Sequence, residues 1–172
     1  MKTKSRLSDH FKKMIHRNAV STLNEKHMAL FHTVLTMVEN DENNNLNGYD
    51  WRKLKLSLGK KITLFNNTKK KQLSIPDIID SNTVYICYSN KIAANYLKCL
   101  RHAYAHNYIS YDENNKEFTI VLPSKDKTSI RLYSRVPYDM LKKIIAELIR
   151  QKKKSKKEKS EKSNQKKNQK LK

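Results

Sequence analysis

The chain has 172 residues, enough for one hydrophobic core of its own with an appendage, because domains typically run to about 100–150 residues. Only two Gly and three Pro accompany 37% hydrophobic residues, a composition that suits helices better than a turn-rich sandwich. Lys and Arg number 37 against 16 Asp and Glu, a formal charge of +21 that points to a polyanionic partner.

From about Ser8 to Glu39 the apolar residues Phe11, Ile15, Leu23, Leu30, Val34 and Val38 recur mostly at helical spacing, which predicts one long helix or two with a break near Asn18. The Asn-rich run 40–47 ends that element, and Asp50 is placed to cap the next. Trp51, Leu54, Leu58, Ile62 and Phe65 step by three or four with Arg52, Lys53, Lys55, Lys60 and Lys61 facing elsewhere, so an amphipathic helix with a basic outer face is expected. Residues 66–74 read as a basic loop, and Pro76 opens a short turn. The β-branched and aromatic stretch from Thr83 to Tyr88 fits either a strand or a buried helix. Ser89 or Asn90 can cap a helix that carries Ile92, Ala93, Tyr96, Leu100 and Ala103 and ends near Asn107. Phe118, Ile120 and Leu122 then alternate with period two, as do Ile130, Leu132 and Ser134, which predicts a β-hairpin. Pro137 opens a last helix with the stripe Met140, Leu141, Ile144, Ile145 and Leu148. From Gln151 onward the only apolar residue is Leu171, so residues 151–172 are expected to form a disordered Lys-rich tail after a domain spanning 1–150.

The basic charge is spread over both parts. Residues 150–172 hold 12 Lys/Arg against two Glu, and the remainder still carries +11. Nucleic acid fits this best, although an acidic membrane surface or association with ribosomes is compatible. Lys69, Lys70 and Lys71 in the loop, and Lys152, Lys153, Lys154, Lys156 and Lys157 in the tail, are the candidate backbone-contacting residues, weighed against the commoner solvated surface.

Chemistry concentrates in one segment, Leu100, Arg101, His102, Ala103, Tyr104, Ala105, His106 and Asn107. Metal-free RNA cleavage needs a base for the 2′-OH proton, an acid for the leaving 5′-oxygen and a cation for the charge that develops on phosphorus. Histidine supplies the first two types near neutral pH, and an always-charged Arg can grip a phosphate through two hydrogen bonds. Arg101, the polar His102 beside it and His106 after a four-residue spacer match the motif of the HEPN family of helical domains, which this chain resembles. The resemblance implies a mainly α fold, a four-helix-type bundle over about residues 5–150 with a C-terminal β-hairpin and final helix added here. It also implies a homodimer that cuts RNA without a metal in its active members, with Arg101, His102 and His106 catalytic. Toxin or defence nucleases are one use of such a domain, with an antitoxin or other protein partner. Other members only bind nucleotides or partners, so a non-catalytic RNA-binding or interaction module is the second reading.

Five residues along a helix rotate by about 140°, so Arg101 and His106 do not share one narrow face, and a two-fold pair of chains would complete the site. Tyr96, Leu97 and Leu100 are the apolar candidates for holding that pair together. The plain alternative is a polar helix end, with His106 near the last carbonyls. His102 and His106, at i and i+4, could also bind zinc, but no Glu stands in an HExxH arrangement and His10, His16, His27 and His32 lie far upstream, so no metal is expected. No Gly-rich phosphate loop, Ser-His-Asp order or paired acidic motif occurs, and no cofactor is expected. Tyr104 could stack on a base but reads more naturally as core. Cys87 and Cys99 lack CxxC spacing, which suits reduced thiols and a cytoplasmic location. The first residues contain no apolar run of signal-peptide type, and the stretch near Met28 to Val38 is broken by His32 and Thr33, so no membrane span is expected.

Overall fold

The computed structural model describes residues 23–41, 46–59, 62–66, 81–88, 90–123 and 130–169. Four helices and five strands occur among them: α1 (Glu25–Glu39), α2 (Trp51–Ser57), β1 (Thr63–Asn66), β2 (Thr83–Ile86), α3 (Ile92–Ala105), β3 (Ile109–Asp112), β4 (Glu117–Pro123), β5 (Ile130–Pro137) and α4 (Tyr138–Gln169). The strands form one mixed sheet in the order β1-β2-β5-β4-β3, in which β1 and β2 run parallel and the other neighbours antiparallel. The protein is therefore an α/β fold, which overturns the mainly α, HEPN-like bundle with a single hairpin.

Three local features account for the difference. The helix expected from Trp51 to Phe65 stops after Ser57, because Leu58 leaves helical geometry and Gly59 takes a left-handed φ of +63°. Ile62 still reaches the core, but Thr63 begins a strand paired with Thr83. The ambiguous stretch after residue 82 resolves as β2, buried throughout and paired with β5 across some 50 residues of chain. A further strand, β3, follows the site helix directly. It turns into β4 through an Asx turn in which Asp112 accepts from the backbone N–H of Asn114 and Asn115 and from the Asn115 amide, at 2.9, 3.2 and 2.7 Å.

Alternation on the sheet sends Val84, Ile86, Phe118, Ile120, Leu122, Leu132 and Val136 into one core shared with all four helices. The stripe expected on the final helix, Met140, Leu141, Ile144, Ile145 and Leu148, is buried there. Asp50 caps α2 through Arg52 and Lys53 N–H, as its position suggested. Asn90 is not the N-cap of α3. Its N-cap is Lys91 in a left-handed conformation without a side-chain bond, and Ser89 lies outside the described residues.

The last helix does not stop at residue 150. It continues to Gln169, where a disordered tail was expected, and its first extra turn is fastened to the loop after α1. The Gln151 amide bridges Asp50, accepting from its N–H at 2.8 Å and donating to its carbonyl at 3.2 Å. Lys152 pairs with buried Asp41 at 2.6 Å and donates to the Asn47 carbonyl, while Tyr49 O–H donates to the other Asp41 oxygen at 3.0 Å. Gly48 has φ +96°, and a Cβ there would stand 2.8 Å from Ser155 Oγ, so that approach requires glycine.

At the opposite end of α1, His27 serves the helix start and the core together. Asn24 accepts from His27 N–H and its own N–H donates to His27 Nδ1, a reciprocal cap. The imidazole is 3% exposed, with ring centres 4.0 Å from Tyr111, 5.1 Å from Phe118 and 5.3 Å from Tyr138. Burial pushes its pKa below the ordinary 6.5, and the Glu113 carboxylate opposes that shift only in part. Below pH 6.5 the unfolded chain therefore binds more protons at this site than the folded one, and stability falls with pH until the folded imidazole also protonates. Urea unfolding between pH 7 and 5 should show a decline that is reduced in His27→Phe; an unchanged slope in that variant would assign the decline to other groups.

Candidate functional site

Helix α3 buries Ala93, Ala94, Tyr96, Leu97, Cys99, Leu100 and Ala103, so its 3.6-residue period leaves Arg101, His102 and His106 on or near the outer side. The structure sets the two histidines side by side, with ring centres 6.2 Å apart and planes within 11° of parallel. Both are exposed. Arg101 leans the other way, toward α1, where a guanidinium nitrogen lies 3.8 Å from a Glu39 oxygen and the side chain keeps 31% exposure. Its Nε is buried and makes no hydrogen bond among the described residues. Glu39 is a neighbour that the motif alone does not announce, since it sits on a different helix.

The helix ends in a Schellman turn. Asn107 N–H donates to the Tyr104 carbonyl at 3.3 Å and Tyr108 N–H to the Ala103 carbonyl at 2.8 Å, with Asn107 at φ +55°. His106 is the C-cap residue, with its N–H bonded to the His102 carbonyl at 3.1 Å. The site therefore lies at the carbonyl pole of α3, a location that attracts cations and repels phosphate. A phosphate placed there depends on Arg101 and the imidazoles for its attraction. The Arg101–Glu39 contact is half exposed and long, worth at most about 1 kcal/mol, so an anion that takes two parallel hydrogen bonds from the guanidinium can displace it.

Other expected site residues fare differently. Tyr104 is half-buried and stacks on Phe31 at 5.4 Å and 13°, the core role that its surroundings suggested. Lys69, Lys70 and Lys71 lie outside the described residues, as do His10 and His16. Lys153, Lys154, Lys156 and Lys157 are exposed along α4. Lys152 is not among them in role: its ammonium is spent on Asp41 and Asn47 and also lies over the Tyr49 ring at 5.4 Å. Tyr96, Leu97 and Leu100, the residues expected to hold two chains together, have no exposure at all and belong to the core of one chain. No three His, Cys, Asp or Glu side chains converge as a metal site among the described residues. No helix among them is long and apolar enough to cross a membrane. A shallow groove of about 460 Å³ between α1 and α4, lined by Ala29, His32, Thr36, Met37 and Ile149 among others, includes none of the Arg101–His106 side chains.

No family model, curated protein or solved structure matches the chain.

The different environments of neighbouring lysines make a direct test. Lys152→Met should lower the unfolding free energy by about 3 kcal/mol, because it leaves the Asp41 carboxylate buried without its cation. Lys153→Met, on the exposed side, should stay within about 0.5 kcal/mol of the parent. Equal losses in chemical denaturation would show that the Asp41 pair does not hold the helix.

Proposed function

We propose that the outer end of α3 is the active site of a metal-independent endoribonuclease in which Arg101, His102 and His106 act together. The observation that carries this reading is the pair of exposed, near-parallel imidazoles 6.2 Å apart with an arginine one residue before them. Two imidazoles on one chain are the acid and base that a 2′-OH transesterification requires. The neutral one takes the 2′-OH proton as the 2′-oxygen attacks phosphorus, and the protonated one delivers a proton to the departing 5′-oxygen as that P–O bond breaks. Arg101, freed from Glu39, would hold the non-bridging oxygens through two parallel hydrogen bonds. The matching spacing of the HEPN motif supports catalytic use of Arg101 and His106, at the level of the motif and not of the bundle, while it gives His102 only the polar position beside the arginine. The charge of +21 supports a polyanionic substrate.

A homodimer around this helix end is part of the proposal, on the strength of the motif resemblance. Because His102 and His106 are already paired within one chain, the second chain would supply further cation and not the missing acid. A partner protein that restrains the activity is proposed on the same footing, and a cytoplasmic location on the free thiols of Cys87 and Cys99. The second reading, an RNA-binding module without cleavage, draws support from the engagement of Arg101 with Glu39.

Arg101→Ala and His106→Ala should each reduce cleavage of mixed RNA in EDTA by at least about 100-fold, the scale of losing one acid, base or charge-stabilising group. Circular dichroism should remain that of the parent, and the products should carry 2′,3′-cyclic phosphate and 5′-hydroxyl ends. Full cleavage by either variant, or 5′-phosphate products, refutes the assignment.

The exposed lysines of α4 predict a separate effect. Removing residues 156–172, which spares Gln151, Lys152 and Ser155, should weaken binding to all single-stranded RNAs. It should also flatten the plot of log affinity against log salt, by about 0.7 for each phosphate that the shortened helix no longer neutralises. The position of cleavage should not move. A slope equal to that of the full chain would assign the extension to another partner.

A further inference from the structure

We propose that Asn107 and Tyr108 form the subsite for the nucleobase beside the scissile phosphate, with the tyrosine ring stacking on its face and the asparagine amide reading its edge. This rests on the reading of Arg101, His102 and His106 as an RNA-cleaving site. The two residues follow His106 directly, and the Tyr108 ring lies 6.1 Å from the His106 ring at 37°. A base that stacks on Tyr108 therefore brings its own ribose and phosphate into the neighbourhood of the imidazoles.

Both residues are fixed by backbone hydrogen bonds, so the polar group of each side chain is not spent on holding the turn. Tyr108 N–H is bonded to Ala103 at the end of α3, and its carbonyl accepts from Val121 N–H of β4 at 3.0 Å. The ring is half-buried, supported by the core behind it. A ring anchored in this way is a low-entropy stacking platform for an unpaired base. Asn107 is exposed, and its amide makes no hydrogen bond among the described residues. An amide offers one acceptor and two donor hydrogens, the complement of a base's Watson–Crick edge. The same geometry excludes duplex RNA, whose base faces are covered by their neighbours and whose edges are paired.

The left-handed φ of Asn107 gives an ordinary reason for asparagine at this position, and it also supplies a clean experiment, since glycine satisfies the turn and removes only the amide. Uncleavable 2′-O-methyl hexanucleotides of A, C and U, titrated against the full chain by fluorescence anisotropy, report binding apart from cleavage. The parent should rank the three oligonucleotides by affinity. Asn107→Gly should keep the parent's melting temperature while that ranking collapses. Tyr108→Leu should weaken all three by roughly tenfold, on the scale of a single base–aromatic stack, and Tyr108→Phe should restore them. An unchanged ranking in Asn107→Gly, or parent-like affinity in Tyr108→Leu, overturns the subsite. Tight, ranked binding by a chain that cleaves no RNA would end the nuclease reading and leave the subsite standing; cleavage with both variants at parental affinity would do the reverse.

Discussion

The burial of one side of α3 between α1 and the sheet fixes everything else about the site. Tyr96 lies at its centre, fully enclosed, its hydroxyl 3.5 Å from Ser134 Oγ on β5 and its ring edge-on to Trp51 at 5.5 Å. Leu97, Leu100 and Ala103 continue the same stripe without exposure. Full burial of a side chain of leucine size stabilises by about 1.5–3 kcal/mol, whereas the half-exposed Arg101–Glu39 pair contributes at most about 1 kcal/mol. The apolar side therefore decides how the helix is rotated, and the orientation of Arg101, His102 and His106 follows from it. Rotating α3 by one residue to improve the ion pair would expose several of those buried side chains.

The end of the helix is set as firmly as its rotation. The Schellman turn hands the chain from Tyr108 straight into β3, which pairs with β4, so the histidines stand where a helix terminus meets the edge of a sheet. This leaves both imidazoles exposed and makes the position electrostatically demanding for an anion. The carbonyl pole of α3 opposes an anion, and a compensating set of cations must be gathered there before phosphate can dwell. Arg101 is held nearby but partly neutralised by Glu39, an arrangement that keeps its charge available without leaving it uncompensated.

How much of this was legible in the sequence depended on whether the signal was local. The stripe on α3, the stripe on α4, the β4–β5 hairpin and the Asp50 cap all follow from spacing within a few residues, and the structure has them. The α/β architecture was not legible, because it rests on β1 and β2, two four-residue strands joined in parallel and docked on distant β5. Trp51, Leu54 and Ile62 satisfy a helical period although the chain changes conformation at Gly59 between them. At the site, the proximity of His102 and His106 was contained in their i, i+4 spacing, but Glu39 was not, since only the packing of α1 on α3 brings it there. Lys152 looked like every other lysine of its run; what sets it apart is buried Asp41, more than 100 residues away.

The extension of α4 obeys a different balance from the rest of the fold. Through Ser155 the helix has tertiary reasons to exist, because Gln151, Lys152 and Ser155 each meet the loop that precedes α2. Beyond that point the sequence has no apolar residue before Leu171, and it offers intrinsic propensity and the i, i+4 spacings of Lys154 with Glu158, Lys157 with Glu161 and Glu158 with Lys162. Such pairs contribute about 0.2–0.5 kcal/mol each, and the surrounding lysines repel one another by similar amounts. A helix of this kind is marginal in water unless something continues it, and here the anchored turns of α4 supply the nucleus that an isolated segment would have to form unaided. Neutralising the lysines would remove the repulsion, so a polyanion that binds the extension also favours its helical form. Reciprocally, a helix that starts from a fixed, docked turn presents its charges in a fixed direction, and binding then costs less ordering than it would for a free chain.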